Sequence, residues 1–194
     1  MSASSLDGRL GKLILGNFEG FFNLSKDRLT KKGHWENRWN KIKLPSIIEP
    51  GTKHPIAKEI VKIFDQYLPR KELSALEIGG APGQFLAHLS KHYGYKAHAI
   101  DYSDIGCRKM KENFDLLNLD IEIYNRDFFN DLSDLPQFDL VFSMGFVEHF
   151  SNFQDVVERH VRLLKCGGVL ILGTPNFRGI NHSIIARLSP KKLA

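Results

Sequence analysis

Ser74-Ala75-Leu76-Glu77-Ile78-Gly79-Gly80-Ala81-Pro82-Gly83-Gln84 is a short apolar run that meets a glycine cluster and then opens a helical stretch, Phe85 to His92. A strand, a glycine turn and a helix in that order begin a βαβ unit. Gly79, Gly80 and Gly83 carry no Cβ, so the backbone can turn tightly and come close to a bound molecule. A nucleotide-like ligand is expected at this turn.

The type of glycine loop narrows the ligand. A dinucleotide site needs G-x-G-x-x-G, for the turn, the pyrophosphate and the packing of the helix. Counted from Gly79, those positions hold Gly79, Ala81 and Gln84, so two of the three fail. The pattern present is Glu-x-Gly-x-Ala-x-Gly, beginning at Glu77. It resembles motif I of the class I S-adenosylmethionine-dependent methyltransferases, with Ala81 where many members carry glycine.

Later segments extend the resemblance. Lys96-Ala-His-Ala-Ile-Asp101 is a strand-like run that ends in an acid 24 residues after Glu77. A carboxylate at the tip of the second strand of a βαβ unit can accept both ribose hydroxyls, which makes Asp101 the expected ribose binder. Tyr102 is placed to lay its ring on the adenine. A third strand, Ile121 to Tyr124, runs into Asn125-Arg126-Asp127-Phe128. The resemblance implies that Asp127 accepts a hydrogen bond from the adenine amine and that the Phe128 N–H meets the ring; capping of the next turn is the other use of Asp127. A fourth strand, Phe138 to Ser143, leads into Met144-Gly145-Phe146-Val147-Glu148-His149. This resembles motif IV of small-molecule methyltransferases and implies that Ser143 and Met144 touch the methionine end of the cofactor. A helix is expected over Asp155 to Leu164, followed by Lys165-Cys166-Gly167-Gly168 and a strand from Val169 to Thr174. That segment resembles the family's L-K-P-G-G turn, with Cys166 in place of proline. The implied cofactor is S-adenosyl-L-methionine and the implied product S-adenosyl-L-homocysteine. Its cradle comprises Glu77, Gly79, Gly80, Ala81, Gly83 and the later residues just named.

From about residue 54 the chain alternates helix and strand. His54 to Leu68 carries Ile56, Ile60, Val61, Ile63, Phe64 and Leu68 close to helical period. Strands recur around Ala75, Ala97, Ile121, Leu140 and Val169. Largely apolar strands joined by crossovers predict an α/β fold with a parallel sheet buried on both faces. Right-handed crossovers make it a Rossmann-like, doubly wound sheet with its crevice at the carboxyl ends of the strands. Glu77, Asp101, Asp127 and Ser143 all fall near such ends. Only 20 residues follow Thr174, and no strand pair fits them. The expectation is a seven-stranded methyltransferase fold lacking its last two strands, in a truncated chain. Residues 1–50 then form an N-terminal helical or lid segment, and residues 51–194 the cofactor-binding domain.

Composition sets limits. No apolar run in the 194 residues approaches the roughly 18 that a membrane span requires. The N-terminus lacks the compact apolar core of a signal peptide, so a soluble, cytoplasmic protein is expected. Two cysteines, Cys107 and Cys166, show neither disulfide nor metal spacing, and no metal site is predicted. The net charge of +5 divides into +4 for residues 1–50, −3 for 51–177 and +4 for 178–194. A mildly acidic core argues against a nucleic-acid face around the site.

The first fifty residues hold two further features. Leu6, Leu10, Leu13, Ile14, Phe18, Phe21 and Phe22 lay an apolar stripe, weakened by interspersed glycines. Packing on the catalytic domain, an interfacial membrane contact and homodimerisation all use such a stripe; an exposed sheet edge is a second route to a dimer. Gly33-His34-Trp35-Glu36-Asn37-Arg38-Trp39 resembles the aromatic segment that many small-molecule methyltransferases fold over their cofactor. Trp35 and Trp39, one helical turn apart, serve either as a lid that excludes water or as core.

In-line attack on an activated methyl group needs mainly alignment, worth about 7–11 kcal/mol. His149 is the candidate base, because imidazole titrates near neutrality; packing under its loop is the alternative. Ser143-Met144-Gly145-Phe146 lacks the Asn/Asp-Pro-Pro-aromatic pattern of amino-methylating DNA and protein enzymes. Ala81-Pro82-Gly83 matches the loop of RNA ribose methyltransferases, but Met144 stands where those carry aspartate. A small-molecule acceptor such as a sugar, quinone or lipid is therefore favoured, with RNA methylation or an inactive cofactor-binding fragment as the alternatives.

Overall fold

A computed structural model of the chain describes residues 28–175. The apolar stripe from Leu6 to Phe22 and the segment after Pro175 lie outside the described residues. Five strands, β1 Ser74–Ile78, β2 Lys96–Asp101, β3 Ile121–Asn125, β4 Phe138–Met144 and β5 Leu164–Gly173, pair in the order β3-β2-β1-β4-β5. Every pairing is parallel. Five helices accompany them: α1 Lys32–Trp39, α2 Pro55–Tyr67, α3 Gln84–Tyr93, α4 Asp104–Leu116 and α5 Phe153–Arg162.

Local chemistry sets the helix ends. The His54 side chain accepts the Ala57 N–H at 3.3 Å and Pro55 takes the first position of α2, where its missing N–H costs nothing. Ser103 caps α4 by accepting the Gly106 N–H at 3.1 Å. Helix α3 ends at Gly94, whose φ of 80° is the left-handed conformation of a C-terminal cap. One boundary differs from expectation. Helix α5 stops at Arg162, and Leu164 already pairs with Phe138 in β5. Val169 next pairs with Leu140, so residues 165–168 bulge opposite Asp139. The expected turn is thus an irregular stretch of strand, pinned by Lys165 Nζ at 2.9 Å from Asp139 Oδ2.

The sheet is buried on both sides, as continuous apolar strands require. Phe64, Leu86, Leu89, Met110, Phe114 and Phe142 pack on one face; Leu76, Ile78, Ile100, Phe138, Val141 and Val156 pack on the other. The chain ahead of the sheet is fastened by one buried amide. Asn113 Oδ1 accepts the Ser46 N–H at 2.6 Å, and Asn113 Nδ2 donates to the Ser46 and Pro82 carbonyls at 2.8 and 3.0 Å. Strand order reverses between β1 and β4, and the crevice such a reversal leaves at the strand ends positions the site.

Candidate active site

A cavity of about 940 Å³ opens at that reversal, bounded by the ends of β1, β2 and β4 below and by α1 with residues 28–30 above. Its size is that of a ligand site. The floor comes from the glycine loop. Gly79 has φ of +66°, and a Cβ there would lie 2.5 Å from the Phe146 ring. A Cβ on Gly80 would lie 2.1 Å from the carboxyl carbon of Glu77, so glycine is what lets Glu77 occupy its place. Glu77 is buried and its Oε2 has no hydrogen-bond partner among the described residues. Burial pushes its carboxyl up to about 8; the Leu86 N–H opposes this and Asp101 adds to it.

Asp101 is also buried, but it is satisfied. Its Oδ1 accepts the Ser103 N–H at 2.8 Å. Burial still lifts it to about 6, against that bond and the nearby Ala81 and Tyr102 amides, which favour the ionised form. Ala81, Tyr102, Phe128 and Met144 line the same cavity.

Three expected cofactor residues do not reach the cavity wall. Gly83 has φ of +80° and lies under the loop, where a Cβ would stand 3.0 Å from Met110 and Phe114; its role is the turn into α3. Ser143 is fully buried and points to α5. The His160 Nδ1 meets the Val156 carbonyl at 2.6 Å and so carries the proton, which leaves Nε2 to accept the Ser143 hydroxyl at 3.1 Å. Asp127 is engaged by the Arg28 guanidinium, which also lies 4.4 Å over the Tyr102 ring.

The opposite wall is formed by the aromatic segment that the sequence offered as either lid or core. Trp35 and Trp39 stack with centroids 5.8 Å apart, and the Trp35 ring meets His149 edge-on at 4.9 Å. Both line the cavity, although Trp39 is buried enough to serve the core as well. His149 is held by residues from the far side of the sequence. Thr30 Oγ1 lies 2.9 Å from its Nδ1, and the Leu29 N–H donates to its carbonyl at 2.9 Å. Burial lowers the His149 pKa, with the Glu148 carboxylate and Gly145 carbonyl acting against that, so the imidazole is neutral and can take a proton.

Arg28, Thr30, Phe146 and Glu148 all line the cavity and were not expected from sequence. Arg28 and Thr30 reach it by pairing with residues 149–150, which no local pattern signals. Phe146 and Glu148 sit inside the loop already singled out for Met144 and His149, and only the direction of their side chains was missing.

Residues 76–170 match the family model for a methyltransferase domain. The chain carries a methyltransferase domain. No curated protein matches the chain in sequence. Among solved structures, the chain resembles a candidate S-adenosyl-L-methionine-dependent methyltransferase from Methanococcus maripaludis, at 22% identity and a TM-score of 0.60 over 92% of this chain and 78% of that one. It also resembles an S-adenosylmethionine-dependent methyltransferase from Geobacter sulfurreducens in complex with S-adenosyl-L-homocysteine, at 17% identity and a TM-score of 0.62 over 82% and 62% of the two chains. A third is a coclaurine N-methyltransferase bound to N-methylheliamine and S-adenosyl-L-homocysteine, at 15% identity and a TM-score of 0.55 over 73% and 48%. The chain thus spans less than two thirds of the length of the last two, and at these identities the likeness is one of fold: a Rossmann-like sheet.

Proposed function

We propose that this methyltransferase binds S-adenosyl-L-methionine along the glycine loop and transfers its methyl group to a small-molecule acceptor held beside His149. One observation carries the reading: a single cavity joins Glu77, the glycine loop and Asp101 to Trp35, Trp39 and His149. The residues fit the cofactor. The unpartnered Glu77 Oε2 suits its ammonium group, Asp101 its ribose, and Tyr102 with Phe128 its purine. Bound there, the cofactor supplies an electrophilic methyl group on a sulfonium.

The chain's own residues do the rest. Thr30 Oγ1 accepts the His149 Nδ1–H and fixes the ring, which leaves Nε2 of the neutral imidazole to accept the proton that a hydroxyl or amine must lose. The stacked tryptophans exclude water from that side. A roofed cavity suits a compact acceptor better than a nucleic-acid strand, and one structure of similar fold is bound to N-methylheliamine together with S-adenosyl-L-homocysteine. No helix among the described residues is long and apolar enough to cross a membrane, and we place the enzyme in the cytoplasm.

Calorimetry with S-adenosyl-L-homocysteine tests the root of the reading, and absence of binding would remove it. Transfer of labelled methyl groups to a metabolite set and to RNA then separates the acceptor classes. Activity confined to RNA, lost steeply with added salt, would overturn the small-molecule assignment.

A further inference from the structure

Three buried side-chain polar atoms lack a hydrogen-bond partner among the described residues: Glu77 Oε2, His88 Nε2 and Glu148 Oε2. His88 packs beneath residues 46–48, with Nδ1 at 2.5 Å from the Ile48 carbonyl, away from the cavity. Glu77 and Glu148 both line the cavity. The cofactor's ammonium answers Glu77 in the reading above; nothing yet answers Glu148.

Glu148 stands on the acceptor side. It adjoins His149, whose ring touches Trp35, and it belongs to the same loop as Phe146. A carboxylate oxygen shut away from water without a donor is costly, and a charged donor relieves that cost more fully than a neutral one. Two of the arginines lining the cavity are held by other carboxylates, Arg28 by Asp127 and Arg126 by Asp134 at 2.7 Å. The third, Arg38, lies 5.7 Å from the Trp39 ring and also borders an open groove with Asn37 and Lys41, and it leaves Glu148 Oε2 without a bond. Aromatic faces nearby favour a cation further.

We infer that Glu148 binds a protonated nitrogen of the acceptor, which makes the substrate class largely apolar molecules bearing an ammonium group. This rests on the cofactor reading, and the test keeps the two apart. The chain's two tryptophans, Trp35 and Trp39, both line the cavity, so their fluorescence reports what arrives there. The full chain is first titrated with S-adenosyl-L-homocysteine by calorimetry. The saturated protein is then titrated at neutral pH with benzylamine, 2-phenylethylamine and 3-phenylpropylamine, each beside the alcohol of the same length. The expected result is that at least one amine binds about tenfold more tightly than its alcohol, as a charge-assisted bond implies. In Glu148→Gln the two should bind about equally, with affinity for S-adenosyl-L-homocysteine unchanged. Equal binding of amines and alcohols to the wild type, no amine binding at all, or a preference that survives in Glu148→Gln overturns the inference while leaving the cofactor reading intact. Should Glu148→Gln fail to fold, the wild-type comparison decides alone. Failure of S-adenosyl-L-homocysteine to bind overturns the cofactor reading and this inference together.

Discussion

Replacing Glu77 by glutamine should stabilise the free protein at alkaline pH. The Glu77 carboxyl is buried beneath the glycine loop and lifted from 4.5 to about 8 by loss of water. Below pH 4.5 both the folded and the unfolded chain hold this proton. Between 4.5 and about 8 the unfolded chain releases it while the folded chain keeps it, so folding takes up a proton and stability falls as pH rises. Each pH unit in that window removes about 1.4 kcal/mol, and the whole window at most about 5 kcal/mol. That is a large part of the about 5–15 kcal/mol that holds a typical domain together. A glutamine side chain has nearly the same shape and cannot ionise. Urea unfolding of wild type and Glu77→Gln from pH 5 to pH 9 should give curves that nearly coincide at the acid end and diverge above it, with the variant more stable, until the gap levels off above about pH 8. The same substitution should weaken binding of S-adenosyl-L-homocysteine. Parallel pH profiles for the two proteins would refute the reasoning, as would a variant that is less stable than wild type at pH 8.

Three other expectations follow from named contacts. His149→Ala should lower turnover about 100-fold or more with cofactor affinity nearly unchanged, and equal losses in both would count against its role as base. Arg28→Ala removes the ion pair to Asp127 and the contact with Tyr102, so hydrogen exchange at the Leu29 amide should quicken about 5- to 30-fold, for about 1–2 kcal/mol of lost closure; an unchanged rate would show that Arg28 does not hold the segment down. Ser143→Ala leaves the His160 Nε2 buried without a partner, at a cost of about 1–3 kcal/mol, so the melting temperature should drop by several degrees while S-adenosyl-L-homocysteine still binds; impaired binding instead would return Ser143 to the cofactor site.

Much of the fold could be read from the chain because its signals are local. The helical period over His54 to Leu68 and the apolar runs around Ala75, Ala97 and Leu140 each report burial within one turn or one strand. The lining of the cavity was readable where a residue's position in the chain also fixes its position in space, as for Glu77 and Asp101 at strand tips. Ser143 shows where that stops. Strand β4 is buried on both faces, so alternation does not tell which side a residue takes, and Ser143 takes the side of α5. Glycines posed a similar problem, since Gly79, Gly80 and Gly83 look alike in sequence although the first two shape the cavity and the third only turns the chain. Arg28 and Thr30 were invisible because their partners lie about 120 residues away. The end of α5 was misplaced for a local reason, the bulge at residues 165–168, which absorbs what looks like a turn into the strand.

The three bonds of the Asn113 amide have a mechanical meaning. They rivet Ser46 to the glycine loop at Pro82, so the polypeptide carrying Trp35 and Trp39 is a leash of fixed length, tied at the very loop that Glu77 and Gly80 shape. Substitutions in the roof would then leave its alignment with the floor to the rivet. A change at Asn113 itself would detune both halves together, without either half losing a single contact residue of its own.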